Sequence, residues 1–330
     1  MRIFLYDVHN FEREHFSKAN TFGHEMTFYE ARLNEKSAIL AKSYPCVCAF
    51  VNDRLNESVL KILAENGTKL VALRSAGYNN VDLKAAEKLR LKVVRVPEYS
   101  PYAVAEHAVG LLLTLNRKFH KAYNRVREGN FSLEGLVGFD LHGKTVGVIG
   151  TGKIGKVFIK ILKGFGCQVL AFDLNPDQDF ARENQISYTS LDEIYSRADI
   201  ISLHLPLSDK TRHMINRENL KKMKDGVILI NTGRGGLVDT EALIESLKNG
   251  HLGGAGLDVY EEEENYFFQD LSSKILDDDL LARLMTFPNV ILTGHQGFLT
   301  EEALTNIAQT TLNNISDFEN QRTLRNEVRI

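Results

Sequence analysis

The clearest pattern of apolar and polar positions lies between residues 144 and 173, where it changes from strand to helix and back to strand. An apolar run at Thr145–Ile149 is typical of a strand that is buried on both faces. After this run, apolar side chains recur at steps of three and four, as along one face of a helix: Ile154, Val157, Phe158, Ile161, Leu162 and Phe165. A second strand at Gln168–Phe172 completes a strand–helix–strand unit.

The same alternation continues along the rest of the chain. Before residue 100, apolar runs predict strands at 3–6, 26–29, 46–51, 70–73 and 93–96, with helices at 57–65 and 83–89. After residue 173 they predict strands at 200–205, 227–231, 256–259 and 290–292, which brings the second set to about six, with helices near 191–195, 216–223 and 240–249. Short buried strands that alternate with helices are the signature of parallel sheets. The predicted fold class is therefore α/β, with two doubly wound domains.

Two helices mark the domain boundaries. Ser100 and Pro101 are a cap residue and a first-turn proline, and the apolar pattern behind them runs toward Arg127 before Gly129 ends it. A helix of that length bridges two domains or contributes to a subunit interface. A second amphipathic helix at 301–318 is expected to pack on the first domain. The predicted domains are residues 1–100 with 300–330, and residues 101–299.

Composition and charge narrow the possible functions. The 330 residues suffice for about two domains, and a net charge of −3 with an isoelectric point near 6.4 provides no basic face for nucleic acid or anionic lipid. No apolar stretch approaches the ~18 residues of a membrane span and no signal-like cleavage site is found, so a cytoplasmic protein is expected. The acidic runs at 261–264 and 277–279 are interpreted as solvated, apart from Glu263. No metal site is expected, and three cysteines are interpreted as buried free thiols: Cys46, Cys48 and Cys167.

Glycines between the first strand and the first helix of the 144–173 unit predict a dinucleotide site. Gly150 permits a tight turn, Gly152 lets a pyrophosphate approach the backbone, and Gly155 lets the helix lie close to its strand. Asp173 follows the second strand, where a carboxylate accepts hydrogen bonds from a ribose diol and repels the 2′-phosphate of NADP. The predicted cofactor is therefore NAD, bound at the N-terminus of the helix. Its residues in this unit are Gly150, Gly152, Lys153, Ile154, Gly155 and Asp173.

Three polar residues in the second domain are candidates for the chemistry of a nicotinamide enzyme. Arg234, Glu263 and His295 each follow a buried strand. Since the carboxyl ends of parallel strands share one edge of the sheet, all three are expected beside the cofactor.

Five motifs recur together in one known family: GTGKIG, HLPLSDKTRHMIN, NTGRGGLVD, GLDVYEEEE and GHQGFLTEEA. Through them, and over essentially its whole length, the sequence resembles the D-2-hydroxyacid dehydrogenase family. Within that family, the insert EEEENYFFQDLSSKILDDD and the tail FLTEEALTNIAQTTLNN are most similar to fermentative D-lactate dehydrogenases. The resemblance implies a Rossmann-type NAD-binding domain, a smaller flavodoxin-like substrate domain, and a cleft between them that is expected to close on NAD.

The resemblance also implies a role for each candidate. Arg234 would hold the carboxylate and carbonyl of the substrate with its fork of donors. His295 would give a proton to the carbonyl oxygen, and Glu263 would accept the other imidazole N–H, which orients the ring and favours its protonated form. The residues implied to bind substrate are Ala76 and Gly77, through backbone amides, with Tyr99 and Phe298 as pocket walls. Further residues implied to bind the cofactor are His204, Leu205, Pro206, Thr211, Thr232, Gly233 and Asp258.

The predicted reaction is the reduction of pyruvate to D-lactate with NADH, by a homo-oligomer. Two alternatives stay open. One is a dehydrogenase for a longer 2-hydroxy acid, and the other is a NAD-sensing binding protein that resembles corepressors of the same fold, because a fold alone does not define a function. No role is assigned to His107.

Overall fold

The structure is a computed structural model that describes residues 1–329. The N-terminal part contains β1 (Arg2–Leu5), α1 (Asn10–Ala19), β2 (Glu25–Phe28), β3 (Cys46–Ala49), α2 (Glu57–Glu65), β4 (Leu70–Leu73), α3 (Leu83–Lys88) and β5 (Lys92–Val94). The middle part contains α4 (Pro101–Arg117), α5 (Phe119–Arg127), β6 (Thr145–Ile149), α6 (Lys153–Gly164), β7 (Gln168–Phe172), α7 (Gln178–Asn184), β8 (Ser187–Tyr188), α8 (Leu191–Arg197), β9 (Ile200–Leu203), α9 (Arg217–Lys221), β10 (Val227–Asn231), α10 (Thr240–Lys248), β11 (Leu252–Leu257), α11 (Asp279–Thr286) and β12 (Val290–Leu292). The last helix is α12 (Glu301–Glu319), and short 3₁₀ turns lie at Ala38–Ala41, Gly235–Leu237 and Glu263–Asn265.

The chain forms two compact units. The first contains residues 1–100 and the segment from Phe298 onward, and the second contains Pro101–Gly297. The sequence pattern placed the second boundary two residues later, between 299 and 300. In the first unit, α12 packs against α1 and β4.

The first unit contains a five-stranded sheet in the order β2-β1-β3-β4-β5, and each pair is parallel. This is the flavodoxin-like order of a doubly wound fold. The strands β3 and β4 are buried at every position, as expected of strands covered by helices on both faces. Their carboxyl ends are followed by the loops at residues 50–56 and 74–82.

The second unit contains a seven-stranded parallel sheet in the order β12-β11-β10-β9-β6-β7-β8. The direction in which strands are added reverses at β6, which lies between β9 and β7. Ligands of doubly wound sheets bind beyond the carboxyl ends of the strands at such a switch point. The glycine turn that follows β6 lies at this point.

The structure confirms the predicted fold class and corrects several elements. The second sheet has seven strands rather than six, because the two-residue strand β8 is too short to give a pattern. The strand β11 begins at Leu252, four residues before the predicted start, and its glycines hide its apolar period. A Cβ atom on Gly253 would lie 2.3 Å from the carbonyl oxygen of Gly226, so this strand passes too close to its neighbour for a side chain. The helices α1, α7 and α11 were also missed.

The long helix predicted from Pro101 toward Arg127 is wrong as a single element. It is broken at Lys118, which adopts a left-handed conformation with φ of 54° between α4 and α5. At the break, the side-chain amide of Asn116 donates to the carbonyl of Phe139 at 2.7 Å and its oxygen accepts from the N–H of Phe139 at 2.8 Å. The chain at residue 139 therefore docks on the end of α4, a long-range contact that no local pattern contains.

The cysteines agree with their interpretation as buried free thiols. Burial raises the pKa of the Cys48 thiol to about 11, so this group is protonated at neutral pH. Across residues 1–329, no helix has both the length and the apolar character needed to cross a membrane.

The first unit buries a complete ion pair at the end of β4. The guanidinium of Arg74 is fully buried, and its Nε donates to Oε1 of Glu12 at 2.8 Å. The same group donates to the carbonyl oxygens of Tyr6 and Asp7, each at 3.0 Å. Arg74 therefore ties the ends of β1 and β4 to α1, directly before the loop that contains Ala76.

We expect Arg74→Met to lower the free energy of unfolding by about 3–5 kcal/mol, because it leaves the buried carboxylate of Glu12 without its cation. Urea denaturation of the purified variant measures this change. Combining Arg74→Met with Glu12→Leu is expected to recover most of the loss, since the second change removes the unpaired charge. A single variant as stable as the wild type would show that the pair does not hold the strand ends together.

Candidate active site

The turn after β6 has the geometry of a dinucleotide fingerprint. Gly150 has φ of 97°, and a Cβ atom there would lie 2.4 Å from the carbonyl oxygen of His204. A Cβ atom on Gly155 would lie 2.0 Å from the carbonyl oxygen of Gly150, so α6 lies directly against the turn. A Cβ atom on Gly152 would meet nothing within 4 Å. Two glycines are thus required by packing, while the third leaves the backbone open to a ligand.

The start of α6 supplies the donors for such a ligand. Gly152 is the cap residue and Lys153 the first residue of the helix, so the first N–H groups have no acceptor within the helix. These groups and the helix dipole favour a phosphate. Ile154, which was also predicted to bind the cofactor, packs its side chain against the apolar core of this unit.

Asp173 lies directly after β7 and helps to hold the glycine turn. Its Oδ2 accepts the N–H of Thr151 at 2.7 Å, and its Oδ1 accepts the N–H of Asn175 at 2.9 Å. Partial burial alone would raise the pKa of Asp173, but these hydrogen bonds outweigh it and hold the pKa below its ordinary value. The carboxylate is therefore ionised at neutral pH, as the predicted contact with a ribose diol requires.

The loops after β9 and β10 adjoin one another beside this turn. The ring of His204 packs on Phe158, with ring centroids 4.9 Å apart, and its Nε2 lies 2.9 Å from the hydroxyl of Ser202. Removal from water lowers the pKa of His204 to about 4, so the ring is neutral. A Cβ atom on Gly233 would lie 3.4 Å from the carbonyl oxygen of Leu205, which brings the two loops into contact.

Two threonines in these loops differ in their contacts. The hydroxyl of Thr211 donates to the carbonyl of Pro206 at 2.8 Å and accepts the N–H of Ser208 at the same distance, so it shapes its own loop. The hydroxyl of Thr232 is buried and has no hydrogen-bond partner among residues 1–329. A buried hydroxyl normally has a partner, so Thr232 is suited to contact a ligand.

His295 and Glu263 form a hydrogen-bonded pair. His295 Nδ1 lies 2.7 Å from Oε1 of Glu263, and both side chains are largely buried. The second carboxylate oxygen of Glu263 accepts the N–H of Tyr260 at 2.9 Å, which fixes the carboxylate in turn. A carboxylate on one ring nitrogen fixes the orientation of the ring and leaves Nε2 for proton transfer.

The backbone around His295 is held by Asp258. His295 has φ of 54°, an uncommon conformation for a residue with a side chain. Its N–H donates to the carbonyl of Asp258 at 2.7 Å, and the Asp258 carboxylate accepts the N–H groups of Gln296 and Gly297 at 2.9 and 2.8 Å. Burial acts to raise the pKa of Asp258, but hydrogen bonds from His107 and Thr293 outweigh it and lower the pKa. An ionised Asp258 thus holds the loop in the conformation that presents His295.

Arg234 follows β10 and lies beside the turn that carries Glu263. A Cβ atom on Gly235 would lie 2.1 Å from the carbonyl carbon and oxygen of Tyr260, so the two turns are in backbone contact. The guanidinium of Arg234 donates through Nη1 to the carbonyl of Gly233 at 2.7 Å. The strands β10, β11 and β12 are neighbours, so their turns bring Arg234, Glu263 and His295 to one edge of the sheet. A cation with a fork of donors at the same sheet edge as an oriented imidazole suits a substrate that has both a carboxylate and a carbonyl.

The residues assigned to substrate binding in the first unit lie in two places. Ala76 and Gly77 are in the loop after β4, where the hydroxyl of Ser75 donates to the carbonyl of Gly77 at 2.8 Å. The rings of Tyr99 and Phe298 lie with their centroids 6.4 Å apart, in an edge-on arrangement. Within the same unit, the ring of Phe298 also lies near those of Phe11 and Phe50.

Comparisons with known proteins agree with this geometry. Residues 109–297 match the NAD-binding domain of the D-isomer specific 2-hydroxyacid dehydrogenases. A D-lactate dehydrogenase of Escherichia coli is 49% identical over 329 residues, covering 99% of this chain and 100% of that protein. The chain belongs to the D-isomer specific 2-hydroxyacid dehydrogenase family. It is an NAD-dependent oxidoreductase of that family.

Other members of the family are similar over comparable lengths. A 2-hydroxyacid dehydrogenase homolog of Zymomonas mobilis is 55% identical, covering 97% of each chain. The structure of the E. coli D-lactate dehydrogenase has a TM-score of 0.91 and covers 99% of this chain and 100% of that one. The pyruvate reductase of Chlamydomonas reinhardtii is 45% identical, with a TM-score of 0.93 and coverage of 99% and 98%.

The interpretation of the acidic runs as solvated is wrong for two residues, Glu261 and Asp278. Glu261 bonds to His213 and accepts the hydroxyl of Thr240 at 3.2 Å. Asp278 accepts the phenol of Tyr260 at 2.7 Å, and it caps α11 through two backbone N–H groups. These carboxylates hold the turns around Glu263, and an acidic run alone cannot distinguish them from surface charge.

Sequence reasoning missed two further residues beside His295. His107 Nε2 lies 3.2 Å from Oδ1 of Asp258 and 3.2 Å from the hydroxyl of Thr293, although no role was assigned to it. The ring of Phe268 lies 5.9 Å from that of His295. Phe268 lies in the aromatic insert that resembles fermentative members of the family, and this was the one signal that pointed to it.

Proposed function

We propose that this protein reduces pyruvate to D-lactate with NADH. The observation that carries the proposal is the Glu263–His295 pair at 2.7 Å, on a strand end next to that of Arg234, within the NAD-binding unit. The D-lactate dehydrogenase and pyruvate reductase among its relatives support a three-carbon substrate. NAD, when bound, supplies and accepts the hydride.

Three residues of this chain then have separate roles in the reaction. Arg234 binds the carboxylate and carbonyl oxygens of the 2-keto acid, and its charge stabilises the negative charge that develops on the carbonyl oxygen. His295 Nε2 gives a proton to that oxygen and accepts it back in the oxidising direction. Glu263 keeps the ring oriented throughout.

Binding of the remaining groups is proposed as follows. The backbone N–H groups of Ala76 and Gly77 bind the substrate carboxylate, and the rings of Tyr99 and Phe298 enclose its short side chain. The fingerprint turn with Asp173 binds the pyrophosphate and ribose of NAD. The loops after the neighbouring strands contribute the other proposed cofactor contacts: His204, Leu205, Pro206, Thr211, Thr232, Gly233 and Asp258.

A panel of 2-keto acids with NADH and NADPH in parallel tests the proposal. Pyruvate with NADH is expected to give the highest kcat/KM. A preference for phenylpyruvate or 2-ketoisocaproate would instead assign a longer 2-hydroxy acid. If NADH binds but no 2-keto acid consumes it, the NAD-sensing alternative is favoured. The cytoplasmic location and the absence of a nucleic-acid partner stay predictions from sequence.

We further propose a homo-oligomer that buries the face around α5. No side chain of this helix is buried, and Phe119, Tyr123 and Val126 are each more than half exposed. The segment behind it exposes Phe131 and Val137 at 74% and 84%. Phe119, Tyr123 and Val126 share one face of α5 by their spacing, and an exposed apolar face marks an interaction site. Light scattering is expected to give the mass of two or more chains. Tyr123→Glu is expected to shift that mass toward the mass of a single chain. A monomeric wild type would contradict the proposal.

A further inference from the structure

The loop after β4 contains two backbone N–H groups, and the carbonyl oxygen of each of their peptide units accepts a hydrogen bond. The N–H groups of Ala76 and Gly77 donate to no acceptor among residues 1–329. The carbonyl of Ser75, which shares a peptide unit with the N–H of Ala76, accepts the N–H of Val96 at 3.1 Å. The carbonyl of Ala76, which shares a peptide unit with the N–H of Gly77, accepts Nη1 of Arg95 at 2.6 Å.

This arrangement fixes the direction of both donors. In a planar trans peptide the C=O and N–H point in opposite directions, so a donor bound to the carbonyl aims the N–H away from itself. Hydrogen bonds also polarise one another along a chain, and a charged donor is stronger than a neutral one. The guanidinium of Arg95 therefore orients the N–H of Gly77 and makes it a better donor to an anion.

Arg95 is itself fixed from several sides within the first unit. Its guanidinium lies over the ring of Tyr78, with the central carbon 5.2 Å from the ring centroid. Its backbone N–H donates to the carbonyl of Asn326 at 3.1 Å, and its carbonyl accepts the side-chain amide of Asn314 at 2.9 Å. The last helix and the segment after it thus hold Arg95 in place behind the loop.

We propose that Arg95 is a positioning residue that sets the affinity for the substrate carboxylate by orienting and polarising the peptide unit between Ala76 and Gly77. The inference rests on the proposed function, in which these two N–H groups bind that carboxylate. It assigns Arg95 to binding rather than to proton or hydride transfer, so KM is expected to change and kcat to stay nearly constant.

Arg95→Met tests the proposal, because methionine keeps the apolar stem over Tyr78 but removes the charged donor. A hydrogen bond to a charged group contributes enough that its loss is expected to raise KM for pyruvate, and the inhibition constant of oxamate, about tenfold or more. The kcat is expected to stay within about threefold, and KM for NADH to be unchanged. Arg95→Lys, which retains a charged donor, is expected to recover most of the affinity.

The matched control is Lys92→Met. Lys92 lies on β5, three residues before Arg95, and pairs with Glu327 at 2.6 Å, so this change also removes one cation but no hydrogen bond to the loop. It is expected to leave KM for pyruvate unchanged. Thermal unfolding of each variant is recorded. If Arg95→Met does not fold, Arg95→Gln, which also lacks the charge, takes its place and must show a raised KM for pyruvate that exceeds any change in kcat.

The outcomes separate this inference from the proposed function. A wild-type KM in Arg95→Met, an equal rise in Lys92→Met, or a fall in kcat as large as the rise in KM would each overturn the role of Arg95 alone. A wild-type protein that prefers a longer 2-keto acid leaves the test intact, since that substrate has the same carboxylate. A wild-type protein that reduces no 2-keto acid overturns both.

Discussion

His295→Gln is expected to lower kcat for pyruvate reduction by roughly 10²- to 10⁴-fold, the contribution of a positioned acid–base group. Glutamine keeps a polar side chain of similar reach but cannot transfer a proton from a ring nitrogen to the carbonyl oxygen. The effect should fall mainly on kcat, while KM for NADH stays close to the wild-type value. Stopped-flow and steady-state absorbance of NADH measure both quantities.

His251→Gln is the matched control for this variant. His251 Nδ1 lies 2.5 Å from Oδ1 of Asp225, a histidine–carboxylate pair like that of His295 and Glu263. It precedes β11, however, and so lies at the amino edge of the sheet, away from the proposed site. We expect wild-type kcat in this control.

Glu263→Gln should lower kcat less than His295→Gln, because the ring of His295 remains but is no longer held by a carboxylate. Equal activity of His295→Gln and wild type would refute the acid–base role.

Arg234→Met is expected to lower kcat/KM for pyruvate by roughly 10²- to 10⁴-fold, the equivalent of two lost charge-assisted hydrogen bonds. Arg234→Lys keeps the charge but not the planar fork, so a smaller loss of about ten- to a hundredfold is expected. Affinity for NADH should not change in either variant. Initial rates over a range of pyruvate concentrations, with NADH binding measured by fluorescence, test these expectations.

Arg217→Lys provides the control for the arginine series. Arg217 forms an ion pair with Glu245 at 2.5 Å, on a surface formed by α9 and α10, with its side chain more than half exposed. Its replacement should leave kcat/KM unchanged. If Arg234→Lys retained the wild-type kcat/KM, bidentate binding of the substrate by this side chain would be excluded.

Much of the architecture could be predicted from sequence because the signals are local. The strand, glycine turn and helix at residues 145–164 are each encoded within a few residues of one another, and the structure has all three. The positions of Arg234 and His295 after short apolar runs were equally clear from sequence, although β12 is only half-buried in the structure. Residues that follow neighbouring parallel strands lie at the same edge of the sheet, so their proximity could be predicted from sequence position alone.

The rest depends on contacts between distant residues. The break at Lys118 lies beside the hydrogen bonds between Asn116 and Phe139, and the loop of His295 is held by Asp258, more than thirty residues earlier. Among four consecutive glutamates, only family spacing singled out Glu263. In the structure Glu263 bonds to His295, whereas Glu261 bonds to His213. A local pattern cannot contain pairings of this kind.

The handedness of the product tests the proposed function most directly. Purified protein is incubated with pyruvate and NADH until the coenzyme is consumed, and the lactate is resolved by chiral chromatography. We predict one equivalent of D-lactate for each NADH oxidised. Formation of L-lactate, or of no lactate despite binding of NADH, would contradict the proposed reaction.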